Sequence, residues 1–121
     1  MSVRVAMALA LTLLLPAVAA AHAVLVKASP ARRAVLALPP TLVELTFNER
    51  LEPAYSTVSV WSAAQAQVDD GKIVVGPTDP RRLTVGVPPL ETGTYTVKFR
   101  VLSVDGHLVE GTYPFEIRPR P

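Results

Sequence analysis

Apolar and polar side chains alternate along short stretches of this chain, which is the pattern of β-strands that bury one face. The clearest example is residues 94–101, where an aromatic or β-branched residue occupies every second position and polar residues lie between them. Similar apolar stretches lie at residues 23–26, 42–48, 56–62, 73–75, 83–87 and 111–117. The pattern therefore predicts a series of short strands around one hydrophobic core.

Turn-forming residues separate these stretches. Asp69-Asp70-Gly71 and Glu91-Thr92-Gly93 mark two turns, and the chain's 12 prolines leave little room for a long helix. Short strands with turns between them predict an all-β fold, either a sandwich or a barrel. Pro114 interrupts the last stretch. Because proline has no N–H to donate, we expect that strand to lie at a sheet edge or to carry a bulge there.

The first 21 residues have the composition of a secretory signal peptide. Arg4 is followed by an apolar run over residues 5–15, and Pro16 ends that run. Ala19-Ala20-Ala21 then provides the small side chains that signal peptidase requires. Cleavage after residue 21 would leave one domain of 100 residues, 22–121, in the periplasm or another exported location.

An uncleaved membrane anchor is the alternative for this segment. No charged residue lies between Arg4 and Lys27, and that distance is long enough to span a bilayer. Pro16 and the alanines after it favour cleavage instead. Since no second apolar span follows, we expect no stable membrane insertion of the mature domain.

Basic and acidic side chains nearly balance after the leader. Arg4 is the one charged residue within it, so the remaining 11 basic and 10 acidic residues give a net side-chain charge of +1. A balance this close to neutral lacks the electrostatic signature of a nucleic-acid-binding protein. The chain has no cysteine, and both methionines, Met1 and Met7, lie in the leader. The mature domain therefore offers no sulfur ligand to a metal.

The two histidines occupy positions that suit metal binding. His22 would become the first mature residue, and its free α-amine and ring nitrogen can chelate one ion together. His107 follows Asp105 by two positions, so in extended backbone the two side chains point to the same side, and Gly106 allows close approach. Three nitrogens and one oxygen favour tetragonal Cu(II) or Ni(II), whereas zinc prefers a tetrahedral site. A polar turn without metal is the alternative for residues 105–107.

Several motifs occur in a fixed order along the mature chain. They are His22-Ala23-Val24-Leu25, Ser29-Pro30-Ala31, Pro39-Pro40, Val43-Glu44-Leu45-Thr46-Phe47-Asn48-Glu49, Ser103-Val104-Asp105-Gly106-His107, Gly111 and Phe115. In combination they resemble the CopC/PcoC family, the periplasmic copper-binding proteins of copper resistance and uptake systems. The resemblance covers essentially the whole mature chain and implies a Greek-key β-sandwich similar to an immunoglobulin domain.

The resemblance also implies a ligand set. One Cu(II) ion per chain would be bound by His22, through its amine and ring, by Asp105 and by His107. Glu49 matches an acidic residue near the copper site, where it would orient a ligand or a water from outside the coordination sphere. A solvated glutamate at a strand end is the alternative for Glu49.

The resemblance is incomplete in one respect. Some family members carry a methionine-rich segment that binds Cu(I) separately, and this mature chain contains no methionine. We therefore expect a member that binds Cu(II) alone. The partner that the resemblance implies is a CopD-type inner-membrane copper transporter, to which the domain would deliver its ion.

Two other functional classes are weighed against copper carriage. Lytic polysaccharide monooxygenases also begin with a metal-binding histidine on a β-sandwich, so a copper-dependent oxidative enzyme is the runner-up. Those enzymes lack an equatorial aspartate and are usually larger, whereas this chain is small and places a carboxylate beside His107. We therefore expect that the protein is not an enzyme. A structural adaptor without metal would leave the placement of both histidines unexplained.

Overall fold

The computed structural model describes residues 24–121, which form two four-stranded sheets. The strands, in chain order, are β1 (Leu25–Ser29), β2 (Val35–Leu36), β3 (Leu42–Phe47), β4 (Thr57–Ser62), β5 (Ile73–Val75), β6 (Arg82–Gly86), β7 (Gly93–Leu102) and β8 (Leu108–Ile117). One sheet has the order β1-β3-β6-β5 and the other β2-β8-β7-β4. The predicted all-β fold is confirmed as an immunoglobulin-like, Greek-key β-sandwich.

The alternating stretches form the core, as predicted. In β3, Val43, Leu45 and Phe47 are at most 1% exposed, while the residues between them are only partly buried. Inward-facing residues of both sheets join them in a single cluster. Its other members are Leu51, Val58, Val60, Leu83, Val85, Val87, Leu90, Tyr95, Val97, Phe99, Val101, Tyr113, Phe115 and Ile117. Each such side chain stabilises the fold by about 1.5–3 kcal/mol relative to full exposure.

The first strands differ from the prediction. The stretch 23–26 was expected to be a strand, but β1 begins at Leu25 and continues to Ser29. Val24 and Val26 are 52% and 58% exposed because β1 lies at a sheet edge and covers only part of the core. The two-residue strand β2, which runs parallel to β8, was not predicted. A strand of two residues is too short to show an alternation of apolar and polar positions.

The expectation that Pro114 would lie in an edge strand or at a bulge is wrong. β8 lies between β2 and β7 rather than at the sheet edge, and its pairing with β7 is continuous from Gly93↔Ile117 to Leu102↔Leu108, without a bulge. The Pro114 carbonyl accepts a hydrogen bond from the Arg33 N–H, at 2.7 Å, and so points away from β7. The nitrogen of a strand residue points to the same side as its carbonyl, so the missing N–H breaks no bond to β7.

The β7–β8 hairpin is the longest pairing in the described part of the chain, with ten residues in each strand. Its connecting loop, residues 103–107, holds the predicted Asp105 and His107. Within residues 24–121, no helix has the length and apolar character needed to cross a membrane. The predicted signal peptide, its cleavage point and His22 lie outside the described residues.

Candidate metal centre

The loop that carries Asp105 and His107 is a compact turn closed by backbone hydrogen bonds. The Gly106 N–H donates to the Ser103 carbonyl at 2.9 Å, and the Ser103 N–H donates to the His107 carbonyl at 3.0 Å. The prediction from the sequence assumed an extended backbone at residues 105–107, and the structure has a turn there instead. The two side chains meet because the chain turns between them.

Gly106 has a conformational role in this turn. Its φ is +91°, a left-handed conformation that favours glycine. A Cβ at this position would meet nothing within 4 Å, so the residue is not required for close approach of another protein group. The glycine therefore permits the turn that brings its two neighbours together.

The structure places Asp105 and His107 in direct contact. His107 Nδ1 lies 3.1 Å from Asp105 Oδ2, and the two side chains are 41% and 34% exposed. The two side chains are therefore in contact and partly exposed, whereas the Nδ1 atom of His107 is itself shielded from solvent.

The buried residue Ser103 lies beneath this pair. Its hydroxyl donates to Asp105 Oδ1, and its oxygen accepts the His107 N–H at 3.2 Å. Ser103 itself is fully buried and bridges to Leu51 on the neighbouring segment. One hydroxyl therefore contacts both residues that the sequence predicts as ligands.

These contacts affect the charge of Asp105. The hydrogen bond from Ser103 is the main cause that lowers the pKa of the Asp105 carboxyl, and His107 contributes in the same direction. Partial desolvation opposes the shift without reversing it. Asp105 is accordingly an ionised oxygen donor at neutral pH, as a metal ligand needs to be.

The segment 48–51 joins this loop to the start of the described chain. Asn48 Oδ1 accepts the Val24 N–H at 2.6 Å, and the Asn48 N–H donates to the Val24 carbonyl at 3.0 Å. Two residues further on, the Arg50 carbonyl accepts the Val104 N–H at 2.9 Å. Two residues of chain span at most about 7 Å. The beginning of β1 and the loop 103–107 therefore lie at the same end of the sandwich.

Glu49 lies between these two attachment points. It is partly buried, and its neighbours Asn48 and Arg50 bond to the start of β1 and to the loop 103–107 respectively. Its position at this end of the sandwich agrees with the predicted supporting role, which stays a prediction.

No group of three or more histidine, aspartate or glutamate side chains comes together as a metal cluster within residues 24–121. The third predicted ligand, His22, lies outside the described residues. The assignment of His22, Asp105 and His107 as ligands therefore stays a prediction, of which the structure supplies the contact between the last two.

The separation of Asp105 and His107 fits a shared ion. Two ligands about 2.0 Å from one metal are about 2.8 Å apart in adjacent tetragonal positions and about 3.3 Å apart in a tetrahedron. The observed Nδ1–Oδ2 distance of 3.1 Å lies between these values. The separation is compatible with two ligands of one ion and is also that of an ordinary ion pair, so the types of donor atom, rather than this distance, discriminate between metals.

Comparison with known proteins identifies the family. The model of the CopC domain matches residues 25–118, which is most of the chain. The chain belongs to the CopC family.

Solved members of the CopC family share this fold. The crystal structure of CopC from Methylosinus trichosporium OB3b is 44% identical, with a TM-score of 0.77 over 83% of this chain and 97% of that one. PcoC from Escherichia coli, a methionine-rich copper resistance protein, is 27% identical, with a TM-score of 0.70 over 81% of this chain and 100% of that one.

A longer relative contains a domain of the same kind. The copper transport protein CutJ of Bacillus subtilis is 33% identical over 104 residues, which is 85% of this chain. The chain spans only 19% of the length of that relative. Members of the family are thus copper resistance and copper transport proteins, and the function of this CopC-family chain is related to copper.

The sequence pattern predicts no role for two polar residues at this end of the CopC domain. Ser103 and Asn48 each bind backbone groups at the site through a short polar side chain. Serine and asparagine frequently form such local bonds, which is the signal that the sequence contained. The partner of Asn48 is 24 residues away in the chain, and no local pattern identifies it.

Proposed function

We propose that this CopC-family chain is exported, is cleaved before His22, and holds one Cu(II) ion through His22, Asp105 and His107. The observation that carries the proposal is the meeting of three features at one end of the sandwich. Asp105 and His107 are 3.1 Å apart, and the start of β1 is fastened to the segment that also holds their loop.

The terminal chelate would approach this pair from the start of β1. His22 precedes Val24 by two residues, so its α-amine is at most about 7 Å of chain from the point that Asn48 holds. The amine and ring of His22 would complete a set of three nitrogens and one oxygen. Such a set favours Cu(II), which has the highest affinity among the divalent first-row metals.

The copper ion is cargo in this proposal. The domain would buffer Cu(II) in the periplasm, or deliver it to a CopD-type membrane protein. The Bacillus subtilis relative supports the second role, because in that copper transport protein a domain of this kind is joined to a much longer chain. Domains that are fused in one protein commonly act together when they are separate.

We further propose that the domain carries copper without catalysing a reaction. With His22, Asp105 and His107 as ligands, the carboxylate would fill an equatorial position and leave little open coordination for a co-substrate. Incubation of the copper-loaded protein with ascorbate and polysaccharide is expected to yield no oxidised fragments, and oxidised fragments would favour the enzyme.

The decisive experiment uses the protein purified after export from the full-length precursor. Intact mass is expected to give residues 22–121, and titration is expected to give one tightly bound Cu(II) with an electron paramagnetic resonance signature of three nitrogens and one oxygen. A matched protein with one glycine added before His22 has the same side chains, but its amine is displaced. Equal affinity of the extended protein would refute the terminal chelate, and a different first residue would refute the proposed cleavage.

A further inference from the structure

Ser103 is unusual among the polar residues of this domain because it is completely buried. Only one other polar residue in the described part of the chain, Ser56, falls in the buried class. A buried hydroxyl is costly unless it is hydrogen-bonded, so the partners of Ser103 show what it does in the fold.

The partners of Ser103 all belong to the metal-binding loop. Its hydroxyl donates to Asp105 Oδ1, its oxygen accepts the His107 N–H at 3.2 Å, and its backbone N–H donates to the His107 carbonyl at 3.0 Å. Its carbonyl accepts the Gly106 N–H at 2.9 Å. The His107 carbonyl lies 3.3 Å from the hydroxyl, so the single hydroxyl hydrogen has its closer acceptor in Asp105.

We propose that Ser103 is the positioning residue of the copper site, and that it sets the orientation of Asp105 and His107 before the metal arrives. This inference rests on the proposed function and extends it. With Oδ1 of Asp105 held by the buried hydroxyl, Oδ2 is the oxygen that faces His107 Nδ1. The same hydroxyl fixes the backbone from which the imidazole projects.

The physical reason for an effect on affinity is the cost of ordering. Without the hydroxyl, the Asp105 carboxylate can rotate, and the His107 N–H loses its acceptor. Copper binding would then have to restrict both side chains at the moment of association. Loss of a partner that orients a metal ligand typically lowers metal affinity by about 10- to 100-fold.

Ser56 provides a matched control. It is 3% exposed, its oxygen accepts the Leu102 N–H at 3.2 Å, and its hydroxyl lies 3.5 Å from the Leu102 carbonyl. Ser56 thus makes bonds of the same type to the residue next to Ser103, without a recorded contact to Asp105 or His107. S56A and S103A should destabilise the fold to a similar extent.

The test compares Cu(II) affinity and thermal stability in the exported wild-type protein, S103A, S56A and D105N. We expect S103A to bind Cu(II) about 10- to 100-fold more weakly than wild type, and S56A to bind as wild type does, at similar loss of Tm. S103T, which restores a hydroxyl, should recover part of the affinity. Wild-type affinity in folded S103A, or an equal loss in S56A, would overturn the positioning role alone.

Two further outcomes keep the inference separate from the proposed function. If wild type does not bind Cu(II), or if D105N binds as well as wild type, the copper site itself is refuted and the role of Ser103 with it. If S103A does not fold, amide hydrogen exchange in the metal-free wild-type protein decides instead. Slow exchange at the His107 N–H supports a preformed loop, and exchange at the rate of an open chain refutes it.

Discussion

Gly111 of β8 has no room for a side chain, because the ring of Phe99 on β7 lies against it. A Cβ at Gly111 would be 2.3 Å from Cζ and 2.9 Å from Cε1 of that ring. Carbon atoms that pack well are about 3.5–4.0 Å apart, so the ring would have to move by about 1 Å or more. The G111A substitution therefore tests whether this contact constrains the hairpin that presents Asp105 and His107.

Phe99 cannot make that movement freely. It is 6% exposed, and its ring packs edge-on against Phe47, with centroids 5.6 Å apart and planes at 67°. Overpacking a core of this kind costs about 1–3 kcal/mol. Replacing a strand glycine regains about 0.5–1 kcal/mol of backbone entropy, which offsets part of the cost. We expect a net loss of about 1–2 kcal/mol, which lowers the Tm of a domain of this size by about 4–16 °C.

The assay is thermal unfolding by circular dichroism of wild type, G111A, F99L and the double variant. Leucine lacks the Cζ and Cε atoms that a Cβ at residue 111 would meet, so G111A should cost much less in the F99L background. G71A is the control, because a Cβ there meets nothing within 4 Å and only its φ of +72° opposes the change. An equal cost of G111A in both backgrounds would show that the ring contact is not the cause.

Three further predictions concern Asp105, Asn48 and Tyr113. The fold lowers the pKa of Asp105, mainly through the hydrogen bond from the buried Ser103 hydroxyl. Its carboxylate therefore stabilises the folded state above the ordinary pKa of about 3.9, and this contribution is lost as the pH falls through the lowered pKa. The Tm difference between wild type and D105N should shrink as the pH falls below about 4, and a constant difference would contradict the shift. N48A removes the side-chain oxygen that accepts the Val24 N–H at 2.6 Å and so releases the start of β1. We expect it to weaken Cu(II) binding by about 2- to 10-fold, a loss of about 0.5–1.5 kcal/mol. Unchanged affinity by calorimetry would show that this hydrogen bond does not support the site. Tyr113 is buried, and its hydroxyl donates to the Pro30 carbonyl at 2.9 Å. Y113F should lower the free energy of unfolding in urea by about 1 kcal/mol. An unchanged free energy of unfolding would show that water replaces the lost donor.

The strands of the core could be predicted from the sequence because their signal is local. In residues 94–101, alternate side chains are buried, and the same holds in β3 around Leu45. The prediction failed where the structure depends on distant partners. β2 is a strand only because Val35 and Leu36 meet Glu116 and Ile117 at the far end of the chain.

In the candidate site too, local features could be predicted and contacts between distant residues could not. The pairing of Asp105 and His107 could be predicted from their spacing, although the reason given, an extended backbone, is wrong and a turn at Gly106 achieves it. The attachment of Val24 to Asn48 could not be predicted, because it follows from the packing of β1 against β3. Sequence patterns show which groups can bind a metal, and the fold decides which of them lie at one end of the sandwich.

The contact between Asp105 and His107 bears on how the proposed copper site could exist in a stable fold. The carboxylate and the imidazole lie 3.1 Å apart, and the hydroxyl of Ser103 donates to the same carboxylate, so contacts within the chain already order this loop. An arriving ion has to displace that contact and any proton on the ligating nitrogen, which couples binding to pH. The two side chains are 41% and 34% exposed, but His107 Nδ1 is itself shielded, so an ion that binds this nitrogen would first have to shift the imidazole. In the proposed function, a loop that is ordered by Ser103 and partly exposed to solvent would hold copper and release it.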